Sequence, residues 1–102
     1  GGSIDSAILA SFSNVKLNDL VKHLKEKNFG EVRKWVVENL DNDAGIVLRN
    51  VYDALYDKLD GSGIAAAVLI IAKYQYQSAF VADQEINILA ALTEIMVECN
   101  FK

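Results

Sequence analysis

Few residues in this chain could do chemistry. The only histidine is His23, and the only cysteine is Cys99. Nucleophilic catalysis needs a nucleophile, a base and a group that orients the base. His23 lies beside the apolar stripe of a helical segment, where the expectation is a surface or half-buried side chain. Cys99 falls on the apolar side of the last segment, where a buried, inert thiol is the default. Two carboxylate pairs stand four residues apart, Asp53 with Asp57 and Glu94 with Glu98. Acid–base work requires such groups to face each other in a pocket; on an open helix face they are simply solvated. Gly61-Ser62-Gly63 lacks the lysine and the preceding strand of a phosphate loop. Lys22, Lys25 and Lys27, extended by Arg33 and Lys34, could touch a phosphate backbone. They are interleaved with Asp19, Glu26 and Glu31 and lack interleaved aromatics, so a solvated face is the expectation. These readings assign no catalytic residue, no cofactor and no metal site.

The elements that carry these residues are helical. Leu17, Leu20, Val21 and Leu24 recur at i, i+3, i+4 and i+7, the stripe of an amphipathic helix. Asn28 breaks it and, with Glu31 three residues on, resembles a capping box. Phe29, Val32, Val36 and Leu40 form the next stripe, flanked by Trp35. Asp41-Asn42-Asp43 breaks that helix and offers a cap to a third, which carries Val47, Leu48, Val51, Leu55 and Leu59. Asp60-Gly61-Ser62-Gly63 is the strongest turn signal, with Ser62 as a plausible cap. Ile64 to Tyr76 is apolar nearly all round. It reads as the central helix, packed on several sides, with at least two of Val68, Leu69 and Ile71 fully buried. Ser78 to Asp83 is a bend, and Asp83 or a neighbour caps a last helix that runs from Gln84 to about Asn100. A short apolar stretch, Ile4 to Phe12, precedes the first clear helix, and Ser11 to Asn14 reads as a linker. The expected fold is all-α, a compact bundle of about five helices.

Composition narrows the function. The chain has 102 residues, of which 52% are hydrophobic, and no proline. That composition excludes a disordered chain and fits one domain with a real core. A single cysteine excludes a disulfide framework. The net charge of −4 does not advertise nucleic-acid binding. The longest apolar run, Ile64 to Ala72, is about half of a membrane span, so no membrane partner is expected. Gly1-Gly2-Ser3 looks like a tag remnant, and the chain reads as a fragment of a longer protein. Trp35, Tyr52, Tyr56, Tyr74, Tyr76, Phe80 and Phe101 exceed what the stripes require. They serve either a small core or an interface, where aromatics combine large buried area with a polar handle.

Lys73-Tyr74-Gln75-Tyr76-Gln77-Ser78-Ala79-Phe80-Val81-Ala82-Asp83-Gln84-Glu85, leading into an apolar C-terminal helix, resembles the end of clamp-loader ATPase subunits of the replication factor C small-subunit type. The likeness is closest to T-even-type bacteriophage subunits. Leu20 to Phe29 looks like their opening collar helix, Val51 to Tyr56 like the middle one, and Cys99-Asn100-Phe101-Lys102 like their aromatic–lysine ending. Gln75 and Gln77 stand where cellular members usually carry charge. With the tag remnant set aside, the resemblance implies the end of a lid or linker segment up to residue 14 and a helical collar over 15–102. It implies an oligomerisation domain, not itself an enzyme, that holds ATPase subunits in a ring for loading a sliding clamp on primed DNA. The implied partners are other clamp-loader subunits, with the clamp and primed DNA reached through the full-length protein. The implied location is the cytoplasm, the host's if the source is viral. Tyr52, Tyr56, Tyr74, Tyr76 and Phe80 are then the candidate subunit contacts. The rival expectation is an unrelated helical adaptor that binds a partner helix or peptide in a groove.

Overall fold

A computed structural model describes residues 17–102; the stretch Ile4 to Phe12 and the linker after it lie outside them. Five helices are present among the described residues: α1 (17–26), α2 (Phe29–Glu38), α3 (Ala44–Leu55), α4 (Gly61–Gln77) and α5 (Gln84–Glu98). The fold is an all-α bundle. Among the described residues there is no strand, and one isolated antiparallel bridge joins Leu59 to Phe101.

Each helix from α2 to α5 begins where a short polar side chain can accept an orphan N–H. Asn28 accepts from Glu31, Asp43 from Ile46 and Asp83 from Ile86. Asp60, not Ser62, caps α4: its carboxylate accepts from the Gly63 N–H at 2.7 Å and from the Ser62 hydroxyl at 2.9 Å. The Asp60-Gly61-Ser62-Gly63 turn is therefore the first turn of a helix. Between α1 and α2 the chain reverses through Lys27, which sits in the left-handed region at φ 57°. The Asn28 N–H reaches His23 O at 2.9 Å and the Lys27 N–H reaches Leu24 O at 3.1 Å, the two bonds of a Schellman close.

The central helix is α5 rather than α4. It packs against α2, α3 and α4, and it buries Asn87, Ile88, Leu89, Ala91, Leu92, Ile95 and Met96, a wider arc than any other helix of α2 to α5 buries. By contrast, α4 buries only one side, Gly63, Ala67, Ile70, Ile71 and Tyr74. Of Val68, Leu69 and Ile71, only Ile71 is buried; Val68 is 43% exposed and Leu69 72%. Nearly continuous apolar sequence hides which side of a helix has a partner: 3.6-residue periodicity carries no signal when both faces are apolar.

The α4–α5 hairpin is fixed at both ends. At the bend, the Gln84 amide donates to Ser78 O at 2.7 Å, and the buried Asn87 amide donates to Tyr74 O at 3.3 Å. At the open end, the Asp60 N–H donates to Asn100 O and the Lys102 N–H to Lys58 O. The chain's last residues are thus laid against the start of α4. The Gln75 amide ties α4 to α3 through Gly45 O at 3.0 Å.

Candidate functional site

Of the surplus aromatics, Trp35 is buried in the core and Phe101 packs against it; the five candidate contacts separate into three environments. Tyr74 is buried at 8% exposure, and its hydroxyl donates to the Glu94 carboxylate of α5. Lys73 pairs with the same oxygen at 2.8 Å, and its ammonium stands 4.8 Å from the Tyr74 ring centroid. Bonds from Lys73 and Tyr74 hold the Glu94 carboxyl below its ordinary range, while burial and the bond to Glu94 push the Tyr74 phenol up. Tyr74 therefore packs into the chain's own core. Glu94 is no merely solvated carboxylate; it is the joint between α4 and α5.

Tyr52 and Tyr56 stand edge to face on α3, with ring centroids 6.3 Å apart. Tyr52 is half-buried and carries Arg49 over its ring at 5.9 Å. Tyr56 is exposed. Asp53 on the same helix is exposed and pairs with Arg49 at 3.1 Å.

Tyr76 and Phe80 form the third environment, with ring centroids 5.2 Å apart and both 72% exposed. The bend sets this pair. Ser78 Oγ donates to Gln75 O at 2.7 Å, and the N–H groups of Phe80 and Val81 both reach Gln77 O. Ala65, Val68, Leu69, Ala72 and Tyr76 are all exposed; Val68 and Leu69 lie three and four residues after Ala65, Ala72 lies four and three after them, and Tyr76 four after Ala72, so they share one stripe along α4. An apolar stripe running the length of a helix and ending in two rings is the main uncovered apolar feature of α4. Covering a large side chain of this kind is worth about 1.5–3 kcal/mol. On α5, Ile86 and Val97 are also exposed.

Two open clefts carry further polar groups. One, of about 250 Å³, is lined by Asp19, His23, Glu31, Lys34, Trp35, Glu38 and Asn39. His23 Nδ1 lies 3.9 Å from Glu26 and Nε2 4.0 Å from Glu31, too far for hydrogen bonds. The lining holds a base and carboxylates but no Ser, Thr or Cys for the base to activate. The other, of about 420 Å³, brings Lys22 and Lys25 of α1 together with Lys58, Phe101 and Lys102. Sequence reasoning grouped Lys22 and Lys25 with Lys27, Arg33 and Lys34 instead. Arg33 turns to Glu85 at 3.5 Å and Lys34 lines the His23 cleft. Lys58 and Lys102 were missed because the Leu59–Phe101 bridge, not sequence proximity, delivers them.

Cys99 is buried, and burial pushes its thiol above the ordinary range. Asp60 occupies the α4 N-terminus, so Gly61-Ser62-Gly63 offers its N–H groups to a carboxylate of its own chain. Among the described residues no cluster of His, Cys, Asp and Glu could hold a metal ion, and no helix is long and apolar enough to cross a membrane. No family model, curated protein or solved structure matches this chain.

Proposed function

We propose that this chain is the helical collar of a clamp-loader ATPase subunit, a domain that holds neighbouring subunits together while ATPase modules elsewhere in the full-length protein do the chemistry. The observation that carries this reading is the uncovered stripe of α4 ending in the Tyr76–Phe80 pair. Its physical sense is association. A small protein that leaves Leu69, Tyr76 and Phe80 in water at 72% exposure each forgoes several kcal/mol that a partner surface would recover. The likeness of Lys73 to Glu85 to the last hairpin of clamp-loader collars supplies the kind of partner, a second subunit. Subunits of a ring present different faces to their two neighbours. The α4 stripe and the Tyr52–Tyr56 pair of α3 are candidates for the two faces.

The adaptor reading needs an apolar groove for a partner helix. Here the stripe is a convex helix face, and the two clefts described above are polar or lysine-lined, which favours a packing surface. The test has two parts. Sedimentation velocity on the chain should show concentration-dependent association that Tyr76→Glu abolishes, with circular dichroism unchanged; an unpaired charge in an interface is costly. The reading frame upstream of Ile4 should encode a glycine-rich phosphate loop with its Lys-Ser/Thr. Association untouched by charges at Leu69, Tyr76 and Phe80 together, or a frame without that loop, overturns the reading.

A further inference from the structure

We propose that the lysine cleft between α1 and the C-terminal tail binds single-stranded nucleic acid, with phosphates on Lys22, Lys25, Lys58 and Lys102 and a base against Phe101. This inference is independent of the collar reading, since it uses a different surface and a different ligand.

The four lysines come from three separate parts of the chain and line one opening of about 420 Å³. Lys22 and Lys25 stand on one face of α1, Lys58 follows α3, and Lys102 ends the tail. All four are exposed, and none pairs with a carboxylate among the described residues, whereas Arg33, Arg49 and Lys73 each do. Asp57 is the one acidic side chain of the lining. The tail is held by construction: the Lys102 N–H donates to Lys58 O at 2.9 Å and the Asp60 N–H to Asn100 O at 3.1 Å. Phe101, half-buried between these bonds, is therefore a fixed ring rather than a loose one.

Chemistry selects the ligand. A carboxylate-bearing peptide is best read by the arginine fork, and the lining contains no arginine. Lysine is a point charge that suits phosphate oxygens. One free phosphate cannot engage four lysines spread around such an opening, whereas a phosphodiester chain can. Cations along a groove with an aromatic ring for a base to stack on are what sequence-tolerant single-strand binders use. In a duplex the bases are already stacked, so the ring gains nothing there. The net charge of −4 opposes any polyanion at long range, so contact is local and strongly salt-dependent.

The experiment is fluorescence anisotropy of a labelled oligo-dT with the whole chain over a range of salt. Four lysine–phosphate contacts on a single strand predict a slope of log K against log salt of about −3. Lys58→Glu with Lys102→Glu should weaken binding at least tenfold and reduce the slope to about −1.4, with helicity unchanged. Phe101→Leu should weaken binding while leaving the slope intact, and a duplex of equal length should bind at least tenfold more weakly. No binding at low salt, binding indifferent to the two reversals, or displacement by poly-glutamate as effective as by unlabelled oligo-dT would each overturn the proposal; the last would make the cleft an acidic-peptide site.

Discussion

Gly63→Ala should destabilise the protein, against the usual direction of glycine-to-alanine changes in helices. Gly63 is buried in the first turn of α4. An ideal Cβ there would stand 2.8 Å from Asn100 O, 3.1 Å from Asn100 N and 3.2 Å from the capping Asp60 Oδ1. The first two are backbone atoms held by the Asp60–Asn100 hydrogen bond and cannot swing aside. Alanine in place of glycine in a helix gains about 1 kcal/mol. Overpacking against a fixed backbone costs about 1–3 kcal/mol. If the tail instead lifts away, the Asp60–Asn100 and Lys102–Lys58 bonds are lost at about 0.5–1.5 kcal/mol each. By either route the net is a loss of up to about 2 kcal/mol and of about 1 kcal/mol at mid-range, a mid-range fall in Tm of roughly 4–8 °C for a domain of this size. Gly61 is the internal control. Nothing lies within 4 Å of its Cβ position and its φ is not positive, so Gly61→Ala should be stabilising by about 0.4–1 kcal/mol. Urea titration followed by circular dichroism on the two variants gives the comparison. A Gly63→Ala protein as stable as Gly61→Ala would refute the reasoning and would mean that the tail does not seat on α4.

The helices, their order and three of their caps are legible in the sequence because each signal is local. Asn28, Asp43 and Asp83 each sit three residues before the N–H they accept, and the stripes of α1, α2 and α3 have polar residues on their outer faces. The cap of α4 was harder to place, because Ser62 and Asp60 both suit the position and two glycines suggested a turn. Gly63 serves a close approach by Asn100, which no local pattern encodes. The same distance in sequence hid the lysine cleft. The relative roles of α4 and α5 were misread for another reason. Both are apolar on most positions, and which apolar face is covered is decided by neighbours: α5 has three, and α4 lies at the edge. Of the candidate contact residues, sequence could name the aromatics but not sort Tyr74, which its bond to Glu94 turns inward, from Tyr76 and Phe80, which the bend turns out.

Further outcomes follow from single residues. Lys27→Gly should stabilise by about 0.5–1 kcal/mol in thermal melts, because a side chain at positive φ costs about 1–2 kcal/mol and glycine pays back only part of that in chain entropy. Glu94 has its pKa lowered in the folded state by Lys73 and Tyr74, so its contribution is present above the unfolded carboxylate pKa and is lost as pH falls through the lower folded value. Urea midpoints of Glu94→Gln should accordingly lie below wild type at neutral pH and converge on it in acid; a constant gap across that range would remove Glu94 from the pH dependence. Calorimetric titration with Mg-ATP should show no micromolar binding, since Asp60 already occupies the α4 N-terminus. The last outcome separates a covered helix face from an uncovered one. Ile71→Ala removes a side chain that is 5% exposed and should cost about 2–5 kcal/mol. Leu69→Ala, two residues away and 72% exposed, should change the stability of the dilute chain by no more than about 0.5 kcal/mol. At concentrations where the chain associates, that variant should instead shift the sedimentation profile toward monomer, because the area it removes is area a neighbour would cover. A Leu69→Ala cost that matches Ile71→Ala in dilute solution would place this face inside the fold and leave α4 without a free surface to offer.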